Sequence, residues 1–179
     1  VLHVPLSALS ASGITGVWAE QNTREAIFAA FKRREVYATS GPRLQVRLFA
    51  GWNYPQGLVH RSDWIRDAYA GGVPMGGDLA RAGEGKFSPR FLIHALKDPD
   101  GANLDRIQIV KVWYQRGKSQ EKIFDVAWSG DRRIDARTGK LPAVGDTVDL
   151  HSATYANTIG AVQLVGEWTD PQFDAASPA

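Results

Sequence analysis

The short apolar run Val36 to Ala38 ends on Thr39-Ser40-Gly41-Pro42-Arg43, a cluster of groups able to recognise a ligand. Two hydroxyls can donate and accept hydrogen bonds, and a guanidinium fork can bind two oxygens of one anion at once. The glycine lets a ligand approach the backbone closely. The chemistry this predicts is recognition of a small anionic substrate, with Arg43, Thr39, Ser40 and the nearby Tyr37 as candidate contacts. The plainer alternative is an ordinary turn whose Arg43 is solvated.

Other reactive patterns are missing. His3, His60, His94 and His151 each stand alone, with no spacing that would hold two imidazoles on one metal. His94 reads as a strand residue and His60 as part of a long loop. There is no Gly-x-Ser-x-Gly elbow. The glycines of "GGVPMGGDL" lack phosphate-loop or dinucleotide spacing, and Asp131, Asp135 and Asp146 lack that of an EF-hand. With no cysteine, disulfides and thiolate metal sites are excluded. The expectation is that the chain holds no complete metal site and no cofactor of its own.

The elements that must position the turn follow from pattern. Asn22 and Glu25 resemble a capping box, and Ile27, Phe28 and Phe31 share one helical face, predicting a helix over 23–34. Lys32-Arg33-Arg34 at its end complements the helix dipole. Leu44, Val46 and Leu48 alternate with Gln45, Arg47 and Phe49, the period of a half-buried strand. "SDWIRDAYAGG" predicts a helical turn or two, capped by Ser62 or Asp63 and stopped at Gly71. From Phe91 onward the runs "RFLIHAL", "DRIQIVKVWY", "KIFDVAWSG" and "GAVQLVGEW" read as strands joined by turns such as "KDPDG", implying an antiparallel sheet or sandwich. Trp113, Trp128 and Trp168 fall in those strand patterns and are expected in the core.

Composition narrows the partners. The chain has 179 residues, 44% hydrophobic and 22% charged, enough to bury a core. A net charge of +2, with Lys32-Arg33-Arg34 as the densest basic cluster, argues against nucleic acid. No apolar run is long enough to span a bilayer. No secretory signal is visible in "VLHVPLSALSASG", and its lack of a starting Met predicts a piece of a longer protein.

"GVWAEQNTREAIFAAFKRREVYATSGPR", "GVPMGGDL", "ALKDPDGANLDRIQIVKVW", "DVAWSGDRR" and "LPAVGDTVD" through "WTDPQFD" resemble the domain-of-unknown-function family 3604 over nearly the whole chain. That family is bacterial and similar to the polymerase-and-histidinol-phosphatase (PHP) class of metal-dependent hydrolases. Its members are several times longer, with His- and Asp-rich metal motifs upstream of the "NTRE" helix. The resemblance implies an α+β fold: residues 1–43 as the last helix and strand of a barrel-like PHP domain, and 44–179 as a β-rich, mostly antiparallel sandwich-like region, incomplete at its end. The "EVYAT" strand would then deliver Thr39 to Arg43 to the rim where such folds hold their metals.

The implied function is the carboxyl-terminal part of a metal-dependent hydrolase of phosphate or related esters. This segment would position substrate, and the rest of the protein would supply the divalent metal. Its partners would be the upstream barrel and a missing downstream strand, with a periplasmic or secreted location favoured over a cytoplasmic one. The alternative is a non-catalytic β-sandwich module for binding or assembly.

Overall fold

The computed structural model describes residues 13–81 and 88–174. In chain order the elements are β1 (Ile14–Val17), α1 (Arg24–Lys32), β2 (Val36–Thr39), β3 (Gln45–Gly51), a 3-10 helix (Leu58–His60), α2 (Trp64–Gly71), β4 (Val73–Pro74) and β5 (Arg90–Leu96). They continue with β6 (Arg106–Gln115), β7 (Lys118–Trp128), β8 (Val148–Asp149), β9 (Thr154–Tyr155) and β10 (Gln163–Thr169).

Alternation in β3 decides the central layer. Phe49 faces one side of a four-stranded antiparallel sheet ordered β10-β5-β3-β4, where it aligns with Leu92. On that side α2, the 3-10 helix and the loop that precedes it cover Phe49 and Leu92 with Tyr54, Leu58, Val59, Trp64 and Ala68, and Val165 packs against the group. Phe49 meets Trp64 edge-on at 5.6 Å between ring centroids. Burying a side chain such as Phe49, Leu58 or Leu92 stabilises the fold by about 1.5–3 kcal/mol. On the other side Trp168 of β10 lies 5.3 Å from Phe91 and 4.9 Å from Phe124, joining the sheet to the long β6–β7 ribbon. Trp113, Trp128 and Trp168, expected in the core, are instead each partly buried, and Trp168 packs in this seam between sheet and ribbon. The sheet is held between a helical layer and a β ribbon.

Two side chains fasten the helical layer. Glu167 accepts from the backbone N–H of Gly57 at 3.0 Å and of Val59 at 3.3 Å, satisfying donors at the start of the 3-10 helix. The Tyr54 hydroxyl donates to the Ala68 carbonyl at 2.6 Å, and burial raises its pKa to about 12.

Helix α1 is shorter than its pattern predicts. Thr23 rather than Asn22 is the cap: its backbone is extended, and its Oγ1 accepts from the Ala26 N–H at 3.3 Å. The helix turns Ala30 inward, while Phe28 and Phe31 are exposed. Helix α2 stops at Gly71 as expected, but Asp63 spends its carboxylate on Arg66, at 2.5 Å, rather than on a backbone N–H.

The barrel expectation is overturned. A barrel strand of the PHP kind needs parallel neighbours reached through helical crossovers. Here β2 instead closes back antiparallel on β1, with Ile14 opposite Thr39 and Val17 opposite Val36. The described chain is mainly β, with two α-helices and several small antiparallel sheets, and no barrel forms among its residues. Local pattern located the strand at Val36 but carried no information about its partner. Among the described residues no helix is long and apolar enough to cross a membrane.

Candidate anion-binding cleft

Strand β1 runs directly into Trp18, whose N–H extends the pairing with β2 by donating to the Glu35 carbonyl at 3.0 Å. The indole Nε1 donates to the Val46 carbonyl at 2.9 Å, tying the β1–β2 unit to β3. This places the indole face beneath the next residue of β3. The Arg47 guanidinium carbon stands 3.7 Å from the Trp18 ring centroid, a close cation–π stack.

Glu35 is the second fixed point. It follows Arg34, whose left-handed backbone (φ 63°) ends the α1 segment and turns the chain into β2. Only 5% exposed, Glu35 must be paired. Its Oε1 accepts from Arg33 Nε at 2.8 Å and its Oε2 from the Tyr69 hydroxyl at 2.8 Å. The Tyr69 ring packs edge-on against Phe49, 4.9 Å between centroids, so α2 sets its position.

The field of Arg47 bears on the titratable groups around it. Burial raises the pKa of Tyr69, and its bond to Glu35 adds to the rise. Burial likewise raises that of Tyr37. In both, the Arg47 charge opposes the shift. His94, opposite Arg47 on β5, has its pKa lowered by burial first and by the Arg47 charge second. Three neighbours therefore feel the positive charge of Arg47.

Trp18, Ala19, Glu20, Arg33, Glu35, Arg47, Ile65 and Tyr69 line a cleft of about 490 Å³. Arg33 is engaged with Glu35, whereas Arg47 forms no ion pair with any described carboxylate. A half-buried guanidinium held by stacking, with donors left over, is a ready receptor for an oxyanion.

Of the residues picked from sequence, Tyr37 reaches this neighbourhood. Its ring lies 6.1 Å from that of Trp18 and passes over Gly16, where a side chain would collide with it. Thr39, Ser40 and Arg43 sit at the far end of β2 and do not line the cleft. Thr39 Oγ1 accepts from the Gly41 N–H at 3.2 Å, and the Arg43 N–H donates to Asp98 Oδ2 at 2.6 Å, lowering the Asp98 pKa. The Ser40 and Arg43 side chains are exposed.

Trp18, Arg47 and Tyr69 escaped the sequence reading. The available signal was an arginine inside a strand whose neighbours in that strand are largely apolar. Among the described residues no three His, Cys, Asp or Glu side chains group to hold a metal ion; His3 lies outside them. Asp135 Oδ1 accepts from the backbone N–H groups of Arg137 and Thr138, and Asp149 accepts from those of His151 and Ser152 on Oδ1 and from the Ser152 hydroxyl on Oδ2.

The sequence profile of the family described as Protein of unknown function (DUF3604) matches residues 3–179, and the chain belongs to that family. Among curated proteins and among solved structures, no match was found.

Proposed function

We propose that this DUF3604 chain is the substrate-positioning, carboxyl-terminal part of a metal-dependent hydrolase acting on phosphate or related esters. The resemblance to PHP-class hydrolases motivates the reaction type. The observation that carries the positioning role is Arg47, stacked on Trp18 with no carboxylate partner at the wall of a ligand-sized cleft. Anchoring the anionic group of a substrate contributes to catalysis by orientation rather than by bond chemistry.

Among the described residues no three metal-ligating side chains group together, so on this reading the divalent ion would be held outside them. Thr39, Ser40 and Arg43 are proposed as an outer contact for larger substrates.

The test is hydrolysis of aryl phosphate, aryl sulfate and phosphodiester substrates by the full-length gene product, before and after chelation and metal replacement. Turnover that disappears with the metal and returns with it supports the reading. Metal-loaded, folded protein inactive on all three classes would overturn it.

A second reading, a binding or assembly module, has one observation in its favour. Val110, Val112, Tyr114 and Ile123 form an exposed apolar stripe along the outer face of the β6–β7 ribbon.

A further inference from the structure

We infer that the Trp18–Arg47 cleft selects singly charged oxyanion esters, namely sulfate monoesters or phosphate diesters, over dianionic phosphate monoesters. The inference rests on the hydrolase reading for its substrate class, but binding can be measured without turnover.

Charge carries it. The charged lining comprises two guanidiniums, Arg33 and Arg47, and two carboxylates, Glu20 and Glu35. Glu35 neutralises Arg33 through its Nε at 2.8 Å, leaving Arg47 as the cleft cation with no carboxylate partner among the described residues. One fork matches two oxygens of one tetrahedral ester. A second negative charge would enter a partly desolvated space where Glu35 already offsets the charge of Arg33 and Glu20 stands at the wall, which costs binding energy.

Tyr69 sharpens the preference. Its hydroxyl proton is committed to Glu35 at 2.8 Å, so what remains on that oxygen is acceptor capacity alone. It cannot donate to an additional anionic oxygen. The Trp18 and Ile65 side chains supply apolar wall for the organic part of the ester.

The experiment titrates the full chain, without metal and at slightly alkaline pH, with phenyl sulfate, methyl phenyl phosphate and phenyl phosphate. These share one ring and similar shape, while only phenyl phosphate is a dianion there. We expect either or both monoanions to bind at least about tenfold more tightly than phenyl phosphate. Whether the sulfate, the diester or both bind tells which source supplies the ligand.

Arg47→Gln should remove the binding, with folding checked by its melting curve. Glu20→Gln, at an exposed position, should narrow the preference about threefold or more by removing a repelling charge. Equal or tighter binding of phenyl phosphate, binding of none of the three, or a preference that survives Arg47→Gln would overturn the inference. Selective binding without metal-dependent turnover would instead defeat the hydrolase reading and leave this one standing.

Discussion

The Arg47 guanidinium carbon stands over the Trp18 indole, 3.7 Å from the ring centroid, although Trp18 follows β1 of one sheet and Arg47 lies in β3 of another. The contact makes the site depend on the docking of β1–β2 against β3. Trp18→Leu removes both the stack, worth about 0.5–2 kcal/mol, and the Nε1 bond to Val46. We expect a lower melting temperature and oxyanion binding weakened by about threefold to tenfold. Trp18→Phe keeps an aromatic face and should recover most of the binding but not the stability. Equal binding in the leucine and phenylalanine variants would separate the stack from recognition.

The pH response should register the same charge. Because burial and Arg47 hold the folded-state pKa of His94 below 6.5, folding keeps this ring neutral while the unfolded chain takes up a proton. Its contribution is therefore intact above the unfolded value and is lost progressively as pH falls below it. NMR titration should place His94 below its ordinary value in the native protein and move it upward in Arg47→Gln. An unmoved His94 would show that the two side chains do not share a field in solution.

The site also leans on a tight corner beside α2. Gly72 has an extended backbone (φ −170°), so an alanine there meets no backbone strain. Its methyl would instead run into the Tyr54 hydroxyl and the Ala50 carbonyl. Gly72→Ala should destabilise by about 1–3 kcal/mol, read as a fall in denaturant midpoint. A variant as stable as the parent would mean that α2 can shift away from β3.

Arg43 tests the outer contact separately. Its guanidinium is exposed, so Arg43→Lys should leave the melting temperature unchanged. If the full-length protein is the proposed hydrolase, the change should lower kcat/KM by about tenfold, ~1.4 kcal/mol, because an ammonium cannot reproduce the fork. Unchanged turnover would confine substrate recognition to the Trp18 cleft.

What could be read from the sequence was local. The alternation of Val46 and Leu48 located β3, the apolar runs after Phe91 located β5, β6, β7 and β10, and Gly71 stopped α2. Pairing could not be read. The segment "ITGV" is too short and glycine-containing to announce a strand, so β1 was missed, and without it Val36–Thr39 had no visible antiparallel partner. The cleft was illegible for the same reason. Glu35 and Tyr69 stand 34 positions apart, and Trp18 and Val46 stand 28 apart, so only the folded chain unites them. The Thr39–Arg43 turn drew attention because its polar groups are consecutive. Arg47 did not, because a charged residue in an alternating strand normally signals solvent.

The most direct measurement is kcat/KM of the full-length, metal-loaded protein and its Arg47→Ala variant on an aryl sulfate or phosphodiester substrate, with metal content and melting temperature determined on the same samples. The account predicts a loss of about hundredfold or more, ~2.7 kcal/mol of transition-state binding, at unchanged metal content. Equal kcat/KM in the two proteins would contradict it.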